Sequence, residues 1–152
     1  MCAELADDRR WLTAAIELAK QCPPVDRAFA VGAVIVGADG AQLAFGYSRE
    51  TDPVVHAEES ALAKLAGSGI DLTGATIYST LEPCSERASR PHSCTQLILD
   101  AGIGRVVLAW REPALFVADA KGAELLADAG VTVVELPEFA EAARAVNAHL
   151  FL

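Results

Sequence analysis

Basic residues are scarce in this chain: 12 Lys and Arg stand against 21 Asp and Glu among 152 residues, a formal net charge of −9. A field of that sign repels polyphosphate and argues against a long nucleic-acid ligand, while leaving room for a local pocket that takes one phosphate. Long apolar runs are missing as well. The longest, Phe29 to Val36, falls far short of the roughly 20 residues that a membrane-spanning helix requires. The first ten residues carry Glu4, Asp7, Asp8, Arg9 and Arg10 with no apolar run behind them, so neither an export signal nor a membrane association is expected. Cysteines are few, at positions 2, 22, 84 and 94, and without such a signal they suit a reducing, cytoplasmic setting better than a disulfide framework. No repeat, low-complexity tract or linker divides the sequence. Residues 1–152 are read as one domain.

The chain does have apolar material, 53% of its residues, which is enough for a core that needs no metal merely to fold. A metal site would therefore be functional. The spacing of Trp11, Leu12, Ala15, Ile16, Leu18 and Ala19 predicts a first helix over 7–22, stopped by Pro23 and Pro24. Two strands follow, over 29–36 and 41–47, joined by a turn at Gly37-Ala38-Asp39-Gly40. A helical pattern resumes at His56 and runs to Gly67 and Gly69. Strands are expected over 75–81, 105–110 and 131–135, with helices over 93–101, 117–129 and 137–149. Strands alternating with helices imply parallel pairing. The expected fold is α/β, a three-layer αβα sandwich around a five-stranded mixed sheet.

Chemistry-bearing residues cluster at the ends of these elements. His56 and Glu58 open the second helix, Cys84 follows the third strand, and Cys94 opens the next helix. In an open sheet with a parallel core, such positions converge on one crevice. One imidazole and two thiolates suit tetrahedral Zn2+ and leave its fourth position open, as a catalytic site requires. A structural site would need a fourth ligand from Cys2, Cys22, His92 or His149. Glu58, two residues after His56, projects in another direction and is not a natural co-ligand. As a carboxylate in an apolar stripe it fits a general base beside an activated water, which a site bearing two thiolates needs.

His56-Ala57-Glu58, Thr80-Leu81-Glu82-Pro83-Cys84-Ser85 and Cys94 together resemble the zinc-dependent cytidine deaminase superfamily, whose signature is H-x-E followed by P-C and a second cysteine. Within it, Val31-Gly32-Ala33-Val34-Ile35-Val36, Ala101-Gly102-Ile103 and Ala129-Gly130-Val131 add a likeness to the deaminase half of the bacterial riboflavin-biosynthesis deaminase/reductase. The resemblance implies a cytidine deaminase-like fold and hydrolytic deamination of a small amine-bearing heterocycle, be it an aminopyrimidine, nucleobase, nucleoside or nucleotide. It also implies Zn2+ on His56, Cys84 and Cys94, with Glu58 shuttling the proton of a zinc-bound water. The backbone amides of Ala57 and Cys84 would lie near the substrate, and a homodimer is expected. A non-catalytic, zinc-stabilised interaction module with the same fold is the alternative.

The departures from that pattern fall on the pocket wall. Ala28-Phe29 replaces an Asn-Pro pair before the Val-Gly, and the segment between the cysteines is one residue longer. Glu86 stands near the position of a histidine, and Trp110-Arg111-Glu112-Pro113 replaces an Asp-Pro-rich stretch. Phe29 and Trp110 are candidates for packing or for stacking on the substrate. Arg90 is a candidate partner for a substrate phosphate or carboxylate.

Overall fold

The computed structural model describes residues 2–87, 89–111, 113 and 121–151. Helix α1 (Cys2–Ala19) leads into strands β1 (Gly32–Val36) and β2 (Gln42–Tyr47), and α2 (Ala57–Ala63) follows. The chain continues through β3 (Thr76–Ser79), α3 (Cys94–Ala101), β4 (Arg105–Leu108), α4 (Gly122–Asp128), β5 (Thr132–Glu135) and α5 (Ala140–Val146). Among the described residues the strands form one sheet in the order β2-β1-β3-β4-β5. β1 is antiparallel to both β2 and β3, whereas β3, β4 and β5 run parallel. This is the mixed sheet that the alternation of strands and helices implied.

Successive side chains of a strand point to opposite faces, and here both faces are covered. Val34, Val36, Tyr78, Val107 and Ala109 pack against Trp11, Leu12 and Ala15 of α1 and Ala143 of α5. Ile35, Ile77 and Val106 point the other way, to Ala61 of α2, Ile98 of α3 and Leu126 of α4. The three layers are thus two helices, the sheet, and three helices. Among the described residues no helix is long and apolar enough to cross a membrane.

Several elements differ from their expected bounds for local reasons. α1 ends at Ala19 because Gln21 and Cys22 tighten into bonds to the carbonyls of Leu18 and Ala19, three residues back, ahead of the two prolines. β1 starts at Gly32 rather than Phe29. The amides of Ala30 and Val31 donate instead to the side chains of Asn147 and Ser48, at 2.6 and 3.0 Å. The expected last helix is divided into a 3-10 turn (Pro137–Phe139), α5 and a second 3-10 turn (Ala148–Phe151). Residues 117–120 of the expected fourth helix lie outside the described residues, and α4 begins at Gly122.

Candidate metal centre and its cavity

Gly46 of β2 lets α2 lie directly on the strand, since a Cβ there would overlap the Ala57 carbonyl oxygen. That contact fixes the start of α2. His56 is its N-cap, in extended conformation (φ −88°, ψ 159°). The Glu59 carboxylate folds back to accept from the His56 amide at 3.2 Å, which satisfies one of the free donors of the helix terminus. Cys84 arrives from the end of β3, where Thr80 donates its amide to the Gly32 carbonyl and Glu82 donates to that of Trp110. Glu82, itself buried, accepts from the amide of Ala123 at 2.8 Å and so ties this loop to the start of α4. Cys94 is the first residue of α3, whose N-cap Ser93 accepts from the Gln96 amide.

These three elements bring His56, Cys84 and Cys94 together. Their ligand atoms all lie within 4.8 Å of one another. His56 Nδ1 is 3.3 Å from Cys94 Sγ and 3.5 Å from Cys84 Sγ. With Zn–N of about 2.0 Å and Zn–S of about 2.3 Å, the N–S edge of a tetrahedron is about 3.5 Å. The donors therefore fit zinc in kind and in spacing. No fourth His, Cys, Asp or Glu among the described residues joins the group. Cys22 instead donates to the Val31 carbonyl, His149 Nε2 meets the Val25 carbonyl at 2.9 Å, and His92 is exposed. Cys2's side chain lies outside the described residues.

The electrostatics of the cluster follow from burial and contact. The Cys94 thiol and its own amide, 3.2 Å away, both stabilise charge on Cys84 and pull its thiol down to about 4. Cys94 moves the opposite way, because it donates to Cys84 and is fully buried. Burial works against charge on His56, but the Cys84 sulfur outweighs it and raises the imidazole above its ordinary value. Glu58, 4% exposed, is pushed up to about 6 by burial. A carboxyl group held near neutrality can both accept and return a proton.

A cavity of about 440 Å³ opens beside the cluster, and His56, Ala57, Glu58 and Cys84 line it. Phe29 lines it as well, whereas Arg90 and Trp110 are not among the lining residues. The Arg90 guanidinium is engaged by Glu59 at 3.1 Å and Asp52 at 2.5 Å. Trp110 stands behind Phe29, edge to face with ring centroids 5.7 Å apart. Three arginines that the sequence pattern did not single out as substrate contacts, Arg27, Arg49 and Arg87, are on the wall. Arg27 is exposed. Arg49 donates to the carbonyls of Pro23 and Phe29 from a backbone with φ of 62°. Arg87, whose side chain is 4% exposed, pairs with Glu59 and leaves a buried Nε without a partner. For Arg49, its place in the loop that delivers His56 was the available signal.

A three-layer αβα sandwich that gathers one imidazole, two thiols and a buried carboxyl at strand and helix ends defines a class of α/β proteins with a zinc-type centre. Within that class, the chain belongs to the family of the cytidine and deoxycytidylate deaminase zinc-binding region, which matches residues 5–110. It is 46% identical over 127 residues to a diaminohydroxyphosphoribosylamino-pyrimidine deaminase of Schizosaccharomyces pombe, covering 82% of this chain and 31% of that protein. Among solved structures, a diaminohydroxyphosphoribosylaminopyrimidine deaminase/5-amino-6-(5-phosphoribosylamino)uracil reductase of Thermotoga maritima superposes with a TM-score of 0.81 at 34% identity. That match covers 93% of this chain and 39% of the other. The dCMP deaminase of cyanophage S-TIM5 superposes with a TM-score of 0.64 at 27% identity, over 85% of this chain and 96% of that one. The chain spans about a third of the length of the curated relatives it matches. The fold is cytidine deaminase-like.

Proposed function

We propose that this chain is a zinc-dependent hydrolytic deaminase of a small aminopyrimidine carrying a phosphorylated sugar, with His56, Cys84 and Cys94 holding the metal and Glu58 moving the proton. The carrying observation is Glu58, buried and held near neutrality beside three metal donors, in a cavity whose wall presents Arg27, Arg49 and Arg87. When bound, Zn2+ supplies Lewis acidity that activates a water molecule. Glu58 takes a proton from the attacking water, which adds to the ring carbon bearing the amine. The same carboxyl delivers that proton to the adjacent ring nitrogen, then takes the proton of the added hydroxyl and passes it to the departing amine. Water is consumed, the C–N bond to the amine breaks, and a ring carbonyl and ammonia result. The Ala57 amide, in the first turn of α2, is available to hold a ring oxygen.

Arg27, Arg49 and Arg87 offer cations to an anionic substituent on a wall that also carries Glu58, Glu82 and Glu86, so the lining is balanced in charge where the chain as a whole is anionic. The name of the Schizosaccharomyces relative supports a phosphoribosylaminopyrimidine over other rings. A purely structural zinc module leaves the buried carboxyl of Glu58 without a role. The test is ammonia release by the zinc-loaded protein from a diaminohydroxyphosphoribosylaminopyrimidine, its dephosphorylated form, dCMP, cytidine and guanine. Glu58→Gln is expected to keep one zinc per chain and lose at least about 100-fold in turnover. Equal activity in both proteins would remove Glu58 from the mechanism, and turnover of dCMP alone would exclude the diaminohydroxyphosphoribosylaminopyrimidine as the substrate.

A further inference from the structure

The segment over 25–31 forms the side of the cavity at which Arg27, Ala28, Phe29 and Val31 stand. It belongs to no helix or strand, so its backbone must be held by other groups. Those groups come from the far end of the chain. Asn147 is 2% exposed and grips Ala30 twice, accepting from its amide at 2.6 Å and donating to its carbonyl at 3.0 Å. Its amide nitrogen also reaches the Ala143 carbonyl at 3.2 Å, which ties the grip to α5. Two residues on, His149 meets the Val25 carbonyl. Phe151 then packs on Trp110 with ring centroids 6.0 Å apart, and Trp110 in turn backs Phe29. Leu150 and Phe151 complete the apolar cluster of Phe29, Val31, Ala33, Ala57 and Leu81, which reaches the first residue of α2. Arg49 also holds this segment through the Phe29 carbonyl, and the chain just ahead of it through the Pro23 carbonyl.

We infer that the turn formed by Asn147 to Phe151 is a positioning element for ligand binding, which fixes the 25–31 wall of the cavity and thereby sets affinity without touching the reacting atoms. The inference rests on the reading of this cavity as the substrate site. Its chemical basis is preorganisation. A wall without ladder bonds loses its conformational freedom once, on folding, instead of each time a ligand binds. Loosening the turn then weakens binding, while the metal donors and Glu58, on other elements, keep their geometry. Asn147 therefore acts through Ala30, and Phe151 through Trp110 and Phe29.

The experiment compares zinc-loaded wild type, Asn147→Ala and His149→Ala by site-resolved hydrogen exchange and by steady-state kinetics on the phosphoribosylaminopyrimidine. In Asn147→Ala, the Ala30 amide loses its acceptor and is expected to exchange at least about tenfold faster, with Val31 following, while Ile77 and Val106 keep wild-type protection. KM is expected to rise about fivefold or more with kcat within about twofold. His149→Ala, which removes one bond at a partly buried side chain, gives a smaller change of the same pattern and serves if Asn147→Ala does not fold. Unchanged exchange over 25–31, acceleration spread evenly through the sheet, or a fall in kcat at constant KM each overturns the inference. Absence of turnover in the wild type would overturn the functional reading instead, and the exchange comparison would still decide whether the turn holds the wall.

Discussion

The Glu59 carboxylate lies 3.0 Å from the Arg87 guanidinium and 3.2 Å from the His56 amide nitrogen. One side chain thus joins the helix start that carries the histidine to the loop between the two cysteines. Arg87 extends the link to the Val54 carbonyl at 2.8 Å, just ahead of His56. Arg87 is the buried member of the pair, and without it Glu59 keeps only Arg90. Arg87→Ala is expected to lower the unfolding free energy by about 2 kcal/mol, the cost of a charge-assisted bond in a partly buried setting, and to speed zinc loss to a chelator. Thermal denaturation and a chelator-competition time course read both. Arg90, whose side chain is 32% exposed, is expected to have a clearly smaller effect as Arg90→Ala, because a solvated ion pair is screened. Equal effects at the two positions would contradict the assignment of the link to Arg87.

Gly122, the first residue of α4, sits against the loop that delivers Cys84. A Cβ there would overlap the Pro83 carbonyl oxygen, and the peptide carbon of Pro83 would be only 3.0 Å away. Both obstacles are backbone, which cannot swing aside as a flexible side chain would. Gly122→Ala is therefore expected to destabilise by about 1–3 kcal/mol. The displacement falls on Pro83 and so passes to Cys84. Zinc content per chain, measured after gel filtration, is expected to fall in this variant, whereas substitution of Gly40, with nothing within 4 Å of its added Cβ, leaves zinc unchanged.

The order of elements, the mixed sheet and the convergence of His56, Glu58, Cys84 and Cys94 were legible in the sequence because each rests on local periodicity or on the ends of strands and helices. The cavity wall was not. Phe29 lines it while Trp110 does not, although both are aromatic residues near strand ends. What separates them is the interposed contact between the two rings, a tertiary relation with no local signal. Arg87 and Arg90 illustrate the same limit. From the sequence Arg90 is the candidate for a substrate anion and Arg87 is not, yet Arg87 lies on the cavity wall, buried against Glu59, and Arg90 is drawn to Glu59 and Asp52. Asn147, inside an apparently continuous helical pattern, gave no hint that its amide would serve Ala30, 117 residues earlier.

Arg27 offers a clean test of the charge of the substrate because it is exposed on the cavity wall. An exposed cation facing a phosphate contributes on the order of 1 kcal/mol, which is about fivefold in affinity. Arg27→Ala is expected to raise KM about fivefold for the phosphoribosylaminopyrimidine at low salt and to leave the dephosphorylated ring unaffected. The difference should shrink as salt is added, since the charge is open to screening. Steady-state kinetics on the two substrates at two ionic strengths check this, and equal losses on both would separate Arg27 from phosphate recognition.

On the opposite face of the sheet, Asp8 of α1 is 2% exposed and receives three donors. Tyr78 donates at 2.7 Å, and Arg105 donates to the two carboxylate oxygens at 2.8 and 2.6 Å. Burial alone would raise this carboxyl, but the bonds from Arg105 and Tyr78 and the arginine's charge win, so it titrates below its ordinary value of 3.8. The folded state then binds this proton less tightly than the unfolded chain does. The stabilisation is complete above the unfolded value near 3.8 and is lost as pH falls through the lower folded value. Asp8→Asn leaves the partly buried Arg105 with only the more exposed Glu4, 3.4 Å away, as a counter-charge and is expected to cost about 2 kcal/mol at neutral pH. Because protonation removes the same charge from the wild type, the gap between the two proteins should narrow steadily below about pH 4. Urea titrations at pH 7, 5, 4 and 3 measure that gap, and a gap that stays constant down to pH 3 would mean that the loss comes from packing at α1 and not from the Asp8–Arg105 pair.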